Sequence, residues 1–328
     1  MGSYNCRGEG MAMIRSRKAV FFTITAITLV TVMYLSISAY NINRLRQRSF
    51  LIEERVKSVD YFITDIEKDI QRGTYIASFR ALLAIQQRIT AKGEFLSDLD
   101  AAFTELVING SVEGEYMSVM NDTELNKWID KIKYEAAKSA IGLDYTILDI
   151  EVMHTDPWVI KTSLFVTLNI SDNRGTARWL RNQTINSTLS ILIFEDPLYI
   201  VNTLGRVINV IEQTNITDFV DGNDTTNLTY HAENSLYKES NSSPSYLMRL
   251  EGNLSSSDNG IESMVNLKKL ESAGLGLSIE SKSCIDYIYF SADDLENWEI
   301  NNTFNWLRLD NESDHLAIYE VENLTLES

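Results

Sequence analysis

Between Ala19 and Tyr40 the chain reads AVFFTITAITLVTVMYLSISAY, twenty-two residues without a charge, entered directly after Arg15, Arg17 and Lys18. At 1.5 Å per residue such a helix spans roughly 33 Å, enough to cross the roughly 30 Å hydrocarbon layer of a bilayer. Beyond it the apolar positions change period. Leu45, Ile52, Val56, Val59, Ile63, Ile66 and Ile70 recur at seven and then at alternating four and three residues, which is the seam of a coiled-coil helix. The membrane helix is therefore expected to continue as a rod to about Arg72 and to stop at Gly73. Two amphipathic helices are expected next, from Tyr75 to Ile89 and from Phe95 to Val107, separated by Gly93 and closed by Asn109-Gly110. Asn121 as N-cap with Glu124 three residues later signals a third, carrying Leu125, Trp128, Ile129, Ile132 and Ala136 and ending near Gly142.

At Asp144 the period becomes two. Ile160, Thr162, Leu164, Val166, Leu168 and Ile170 alternate with Lys161, Ser163, Thr167 and Asn169. A turn at Asp172-Asn173-Arg174-Gly175 leads into a second alternating run, with Ile185, Leu189, Ile191 and Ile193 facing in and Asn182 and Asn186 facing out. The pattern predicts a long antiparallel hairpin with one wet side, a neighbouring strand from Tyr145 to Val152, and an end at Asp196-Pro197. Further on, Asn215 to Thr229 reads as an exposed loop, Ile261 to Leu270 as a short helix, and Ser278 to Phe290 as a strand with Ile285, Tyr287 and Tyr289 on one face. The C-terminal segment shows no clear period. The expected class is α+β: a cytoplasmic tail over 1–18, a transmembrane helix over 19–40, a helical stalk and subdomain over 41–142, and a mainly antiparallel β ectodomain with short helices over 143–328.

Charge sharpens this picture. Four of the 29 Lys and Arg and one of the 46 Asp and Glu precede Asn41, leaving 25 basic against 45 acidic residues and a net charge of −20 beyond the apolar run. Such a surface repels phosphate backbones, so no nucleic acid is expected as a partner; the lipid bilayer is, and self-association through the 45–70 seam is the second candidate. Basic residues flank the apolar run on both sides and do not orient it. The N-glycosylation sequons do: Asn109, Asn121, Asn169, Asn182, Asn186, Asn215, Asn223, Asn227, Asn241, Asn253, Asn301, Asn311 and Asn323. Composition alone predicts about four. None precedes Asn109, so the C-terminal part is expected outside the cell. The rival for the apolar run is a cleaved signal with Ser36-Ile37-Ser38 as its small-residue site, but signal cores are shorter, about 7–15 residues. The start Met-Gly lacks a myristoylation pattern, because Cys6 stands where Ser or Thr is needed.

Candidate chemistry is sparse. Cys6 and Cys284 fall on opposite sides of the apolar run and cannot pair within one chain, and Cys284 reads as a small buried hydrophobe. His154, His231 and His315 lie far apart, without metal-ligand spacing, and read as surface or strand-end residues. Ser235-Leu236-Tyr237-Lys238 fits Ser-x-x-Lys without its partner motifs. Asp156-Pro157 and Asp196-Pro197 read as turns at strand ends. Asp218, Asp221 and Asp224 offer oxygen ligands in an order that does not match an EF-hand loop. No catalytic residue, metal or cofactor is assigned, and no enzymatic activity is expected.

Five phrases, RSRKAVFFTITAITL, FEDPLYIVNT from Phe194, PSYLMRLEG from Pro244, GIESMVNLKKL from Gly260 and SCIDYIYF from Ser283, resemble uncharacterised membrane-anchored surface proteins of archaea, particularly of small-genome lineages. The resemblance implies export and N-glycosylation and supplies no catalytic residue. The N-terminus also resembles that of type IV pilins: a short basic leader, a long apolar helix continuing as a rod, then a β-rich head. It departs from them at Lys18, where a pilin leader ends in a small residue, and at Thr23, where many pilins carry Glu. A single-pass extracellular glycoprotein with a structural, adhesive or surface-interaction role is expected, with a pilin-like filament subunit as the alternative.

Overall fold

A computed structural model describes residues 9–173, 175, 177–276, 282–292 and 294–326, with side chains from Val20 onward. The chain divides into two compact units, Met1–Ile63 and Thr64–Ser328. Helix α1, Glu9–Lys92, begins in the first and ends in the second.

In the first unit no side chain from Val20 to Tyr40 is buried. This is a helix long and apolar enough to cross a membrane, with a mean hydropathy of 2.1 over its most apolar window. Its hydroxyls do not stand against that. Thr23, Thr25, Thr28, Thr31 and Ser36 each donate to a carbonyl three or four residues earlier, which satisfies them inside the helix. Leu45 and Ile52 of the expected seam are exposed, whereas Ile66 and Ile70, in the second unit, are buried.

Gly73 does not stop the helix. The expected rod and the segment from Tyr75 to Ile89 are one element, which ends at Lys92 with Gly93 in the left-handed region. Gly73 serves packing: a Cβ there would lie 2.5 Å from Trp128 Cδ1, and the Trp128 indole donates to the Asp69 carbonyl at 3.1 Å. Gly73→Ala is accordingly expected to lower the urea midpoint of unfolding. The clash, typically about 1–3 kcal/mol, outweighs the roughly 1 kcal/mol by which Ala favours a helix.

Helix α2, Leu99–Asn109, starts at Asp98, whose carboxylate accepts from the Ala101 N–H, and ends at Gly110 with φ 76°. A small ribbon of β1, Ser111–Val112, and β2, Glu115–Tyr116, leads to helix α3, Leu125–Lys138. Asn121 is not the N-cap of α3. It ends the preceding 3-10 turn Ser118–Met120, and α3 begins only after Glu124.

Strands β3, Ile141–Asp156, β4, Val159–Asp172, and β5, Arg178–Ser190, form an antiparallel sheet in the order β3-β4-β5. The hairpin matches the alternation: Ile160, Leu164, Val166, Leu168, Ile170, Ile185 and Leu189 are buried. β3 starts three residues before the expected change of period, and β5 ends before Ile191, so Ile193 lies outside the strand and is 65% exposed.

The strands do not go on to fill the C-terminal half. Asp196-Pro197 opens helix α4, Pro197–Asn202, rather than closing the hairpin. The expected loop runs into helix α5, Thr226–Asn234, and buries Phe219 and Leu228. After β6, Tyr237–Glu239, and α6, Tyr246–Leu250, the expected helix from Ile261 splits into β7, Ile261–Ser263, paired with β6, and α7, Leu267–Ser272. Where a strand was expected, Asp286–Tyr289 forms the helical turn α8, while residues 278–281 of that stretch lie outside the described residues. β8, Asn297–Ile300, and β9, Arg308–Asp310, precede α9, His315–Ile318, and pair with each other; the closing β10, Thr325–Leu326, completes the sheet in the order β10-β8-β9. Tyr199, Phe219, Met264, Ile285, Leu307 and Tyr319 belong to the core that these short elements share.

Candidate functional site

The densest polar cluster lies inside that core. Arg249 on α6 is fully buried. Its Nη1 is 2.6 Å from Asp196 Oδ2 at the start of α4 and 2.8 Å from Asp286 Oδ2 on α8, and neither carboxylate has exposed surface. Its Nε and Nη2 donate to the carbonyls of Pro244 and Ile261. Asp196 Oδ1 caps α4 by accepting from the Leu198 N–H at 2.8 Å, and its Oδ2 accepts from the Tyr237 hydroxyl at 2.8 Å. Asp286 Oδ2 accepts from both the backbone N–H and the hydroxyl of Ser263, at 3.0 and 2.8 Å. Burial opposes the charge on Arg249, but the two carboxylates outweigh it and hold the guanidinium above its ordinary range. Burial pushes the Asp286 carboxyl up, more than Arg249 draws it down.

A second cluster is reached through β7. Next to Ser263, Glu262 Oε1 accepts from the Tyr319 hydroxyl at 2.9 Å, and its Oε2 lies 3.4 Å from His315 Nε2. His315 Nδ1 is 2.8 Å from Asp310 Oδ1. Burial works against a charged His315, yet Asp310 and Glu262 raise it to about 9. Both carboxyls are lowered in turn, with the imidazolium overcoming burial. His231 is the opposite case: both ring nitrogens lack a hydrogen-bond partner, Phe219 packs against the ring edge-on at 5.1 Å, and burial lowers it to about 4.

His231 and His315 are thus core residues with no exposed surface, not the surface or strand-end residues expected; His154 alone stands half-buried at the end of β3. Their shifts predict a stability profile. His315, raised from an unfolded value near 6.5, contributes stability that is complete below about pH 6.5 and lost by about pH 9. His231, lowered, costs stability as pH falls from about 6.5 toward 4. Urea midpoints across pH 4–10 should therefore peak near neutrality, and His315→Gln should flatten the alkaline limb, of order 3 kcal/mol, while lowering the whole curve.

Arg249, Asp196, Asp286, Glu262, His315 and Asp310 have no exposed surface. Through their ion pairs and hydrogen bonds, Arg249 and its partners brace α4, α6, β7 and α8 against one another. Among the described residues, surface recesses include a groove of about 710 Å³ between α2 and β3 and one of about 540 Å³ beside α7. Lys238 of the Ser-x-x-Lys pattern lies over the Phe219 and Tyr319 rings, and buried Ser235 ends α5. The Asp224 carboxylate accepts from the Thr226 N–H and hydroxyl. Among the described residues no three His, Cys, Asp or Glu side chains converge as a metal site. Cys284 is fully buried, as expected, and burial pushes its thiol up to about 12.

Twelve of the thirteen sequon asparagines are exposed, and Asn169 is half-buried. The fold brings Asn169, Asn182 and Asn186 onto one face of the hairpin. Asn109 and Asn121 flank the β1-β2 ribbon, and the Asn223 turn meets the Asn301 loop, where Asn302 Nδ2 donates to the Asn223 carbonyl. Asn215, Asn227, Asn241, Asn253, Asn311 and Asn323 are dispersed over loops and the face of α5.

The buried network was not read from periodicity. Its signal lay in the phrases themselves: Asp196 comes from FEDPLYIVNT, Arg249 from PSYLMRLEG, Glu262 and Ser263 from GIESMVNLKKL, and Asp286 from SCIDYIYF. In each, a charged residue is set among apolar ones, the pattern of a charge that will be buried with a partner. No protein-family model, curated protein or solved structure matches the chain.

Proposed function

We propose that the chain is a single-pass, membrane-anchored extracellular glycoprotein with a structural, adhesive or surface-interaction role. The supporting observation is a division of the molecule. An uncharged helix exposes apolar side chains on all sides, whereas every sequon falls in Thr64–Ser328, with twelve of thirteen asparagines exposed. Lipid satisfies the first feature, and export from the cytosol gives the second a use. Leu45 and Ile52 remain exposed for a second copy to cover.

Membrane fractionation with protease shaving of intact cells and glycopeptide mass spectrometry test the reading. The expected result is a membrane-bound chain, digested from outside and carrying sugar at several sequons. Recovery from the soluble cytosol without sugar overturns it. The pilin-like alternative is separated by the mature N-terminus: processing near Lys18-Ala19 supports it, and an intact leader removes it.

A further inference from the structure

β5 lies at the edge of its sheet, paired among the described residues with β4 alone. Edge strands present unpaired backbone groups, and proteins blunt them with charge, proline, bulges or cover. From Asn182 to Ser190 β5 reads NQTINSTLS, with no charge, no proline and no glycine, and its register with β4 is unbroken from Ser190 to Arg178. A strand of this composition is a template for pairing with another chain. Helix α1 reaches this edge where Gln71 donates to the outward-pointing Asn186 carbonyl at 2.8 Å, and on the inner face its Glu67 meets Arg181 and Gln183. The opposite face carries Asn182, Thr184, Asn186 and Thr188, all exposed.

Two of those four positions are sequon asparagines, four residues apart on one face, and a third, Asn169, pairs with exposed Leu180 on the same face. Asn182 uses its amide oxygen to accept from the Thr167 hydroxyl at 2.9 Å, not the Nδ2 that carries a sugar.

We propose that N-linked oligosaccharides at Asn182 and Asn186 complete the guard of this edge, adding to the Gln71 contact, taking the place of the charges that residues 182–190 lack and blocking strand addition by a second chain. The proposal rests on the reading of the chain as an exported glycoprotein. A hydrated, bulky oligosaccharide beside the edge prevents another strand from approaching to the roughly 4.8 Å that pairing needs.

The test uses the full chain from an N-glycosylating host, purified in detergent, with glycopeptide mass spectrometry and light scattering. Thr184→Ala with Thr188→Ala removes both sequons while leaving the asparagines; Thr217→Ala with Ser255→Ala removes the same number of sequons, at Asn215 and Asn253, from loops. The first pair is expected to raise the self-associated fraction about tenfold, or about 1.4 kcal/mol in association, and the second to leave it unchanged. Thr184→Ser with Thr188→Ser keeps both sequons and should behave as the parent. Adding Asn186→Lys to the unglycosylated pair should restore dispersity, because an edge lysine does the same work. Bare Asn182 and Asn186 beside occupied sequons elsewhere overturn this inference alone, as does equal association of the two pairs. A chain without sugar anywhere overturns the parent reading as well.

Discussion

Replacing Arg249 by methionine is expected to lower the stability of the full chain by about 3–5 kcal/mol, the usual loss when one partner of a buried ion pair is removed. Methionine fills much of the space but leaves Asp196 and Asp286 buried and facing each other without a cation, while the carbonyls of Pro244 and Ile261 lose their donors. Burial and Asp196 already push Asp286 upward, so in the variant it should take up a proton, and the loss should shrink as pH falls. The measurement is urea unfolding at pH 5 and 7. A second variant separates charge from packing: adding Asp196→Asn and Asp286→Asn to Arg249→Met removes the uncompensated charges and should recover part of the loss. An Arg249→Met protein as stable as the parent at pH 7 refutes the brace.

The second large effect concerns the apolar helix. Ile27 and Val30 stand near its middle, where an aspartate costs roughly 3 kcal/mol of insertion relative to an aliphatic residue. Ile27→Asp with Val30→Asp should therefore cost roughly 6 kcal/mol, shift the chain from the membrane to the soluble or aggregated fraction, and abolish sugar at the sequons. Ile27→Leu with Val30→Leu should leave both unchanged. Membrane retention and normal glycosylation of the aspartate variant would mean that this helix does not reside in lipid.

Where neighbours in sequence decide the structure, the residue pattern was legible. The α+β class, the hairpin with Ile160 to Ile170 facing in and the end of α2 at Asn109-Gly110 followed from periodicity and turn chemistry, and the burial of Cys284 from the apolar character of an unpaired thiol. Local rules failed where a distant residue took over. Gly73 has a helix-stop look until Trp128, fifty-five positions later, fills the space beside it. Asn121 has a capping pattern, but the 3-10 turn before it uses that position. The stretch around Ile285 alternates like a strand, yet Asp286 must turn inward to meet Arg249, and the backbone winds into α8.

By itself the sequence determined which stretch is long and apolar enough to cross a membrane and where the sequons stand, because a charge-free run and a three-residue sequon are properties of consecutive residues. Only the tertiary structure decided that Asp196, Arg249 and Asp286 form one buried polar cluster and Glu262, His315 and Asp310 a second, and that Asn182 and Asn186 stand on a sheet edge. Ion pairing in the core and the edge of a sheet are relations between segments far apart in sequence, set by which surfaces exclude water together, and no local pattern encodes that choice.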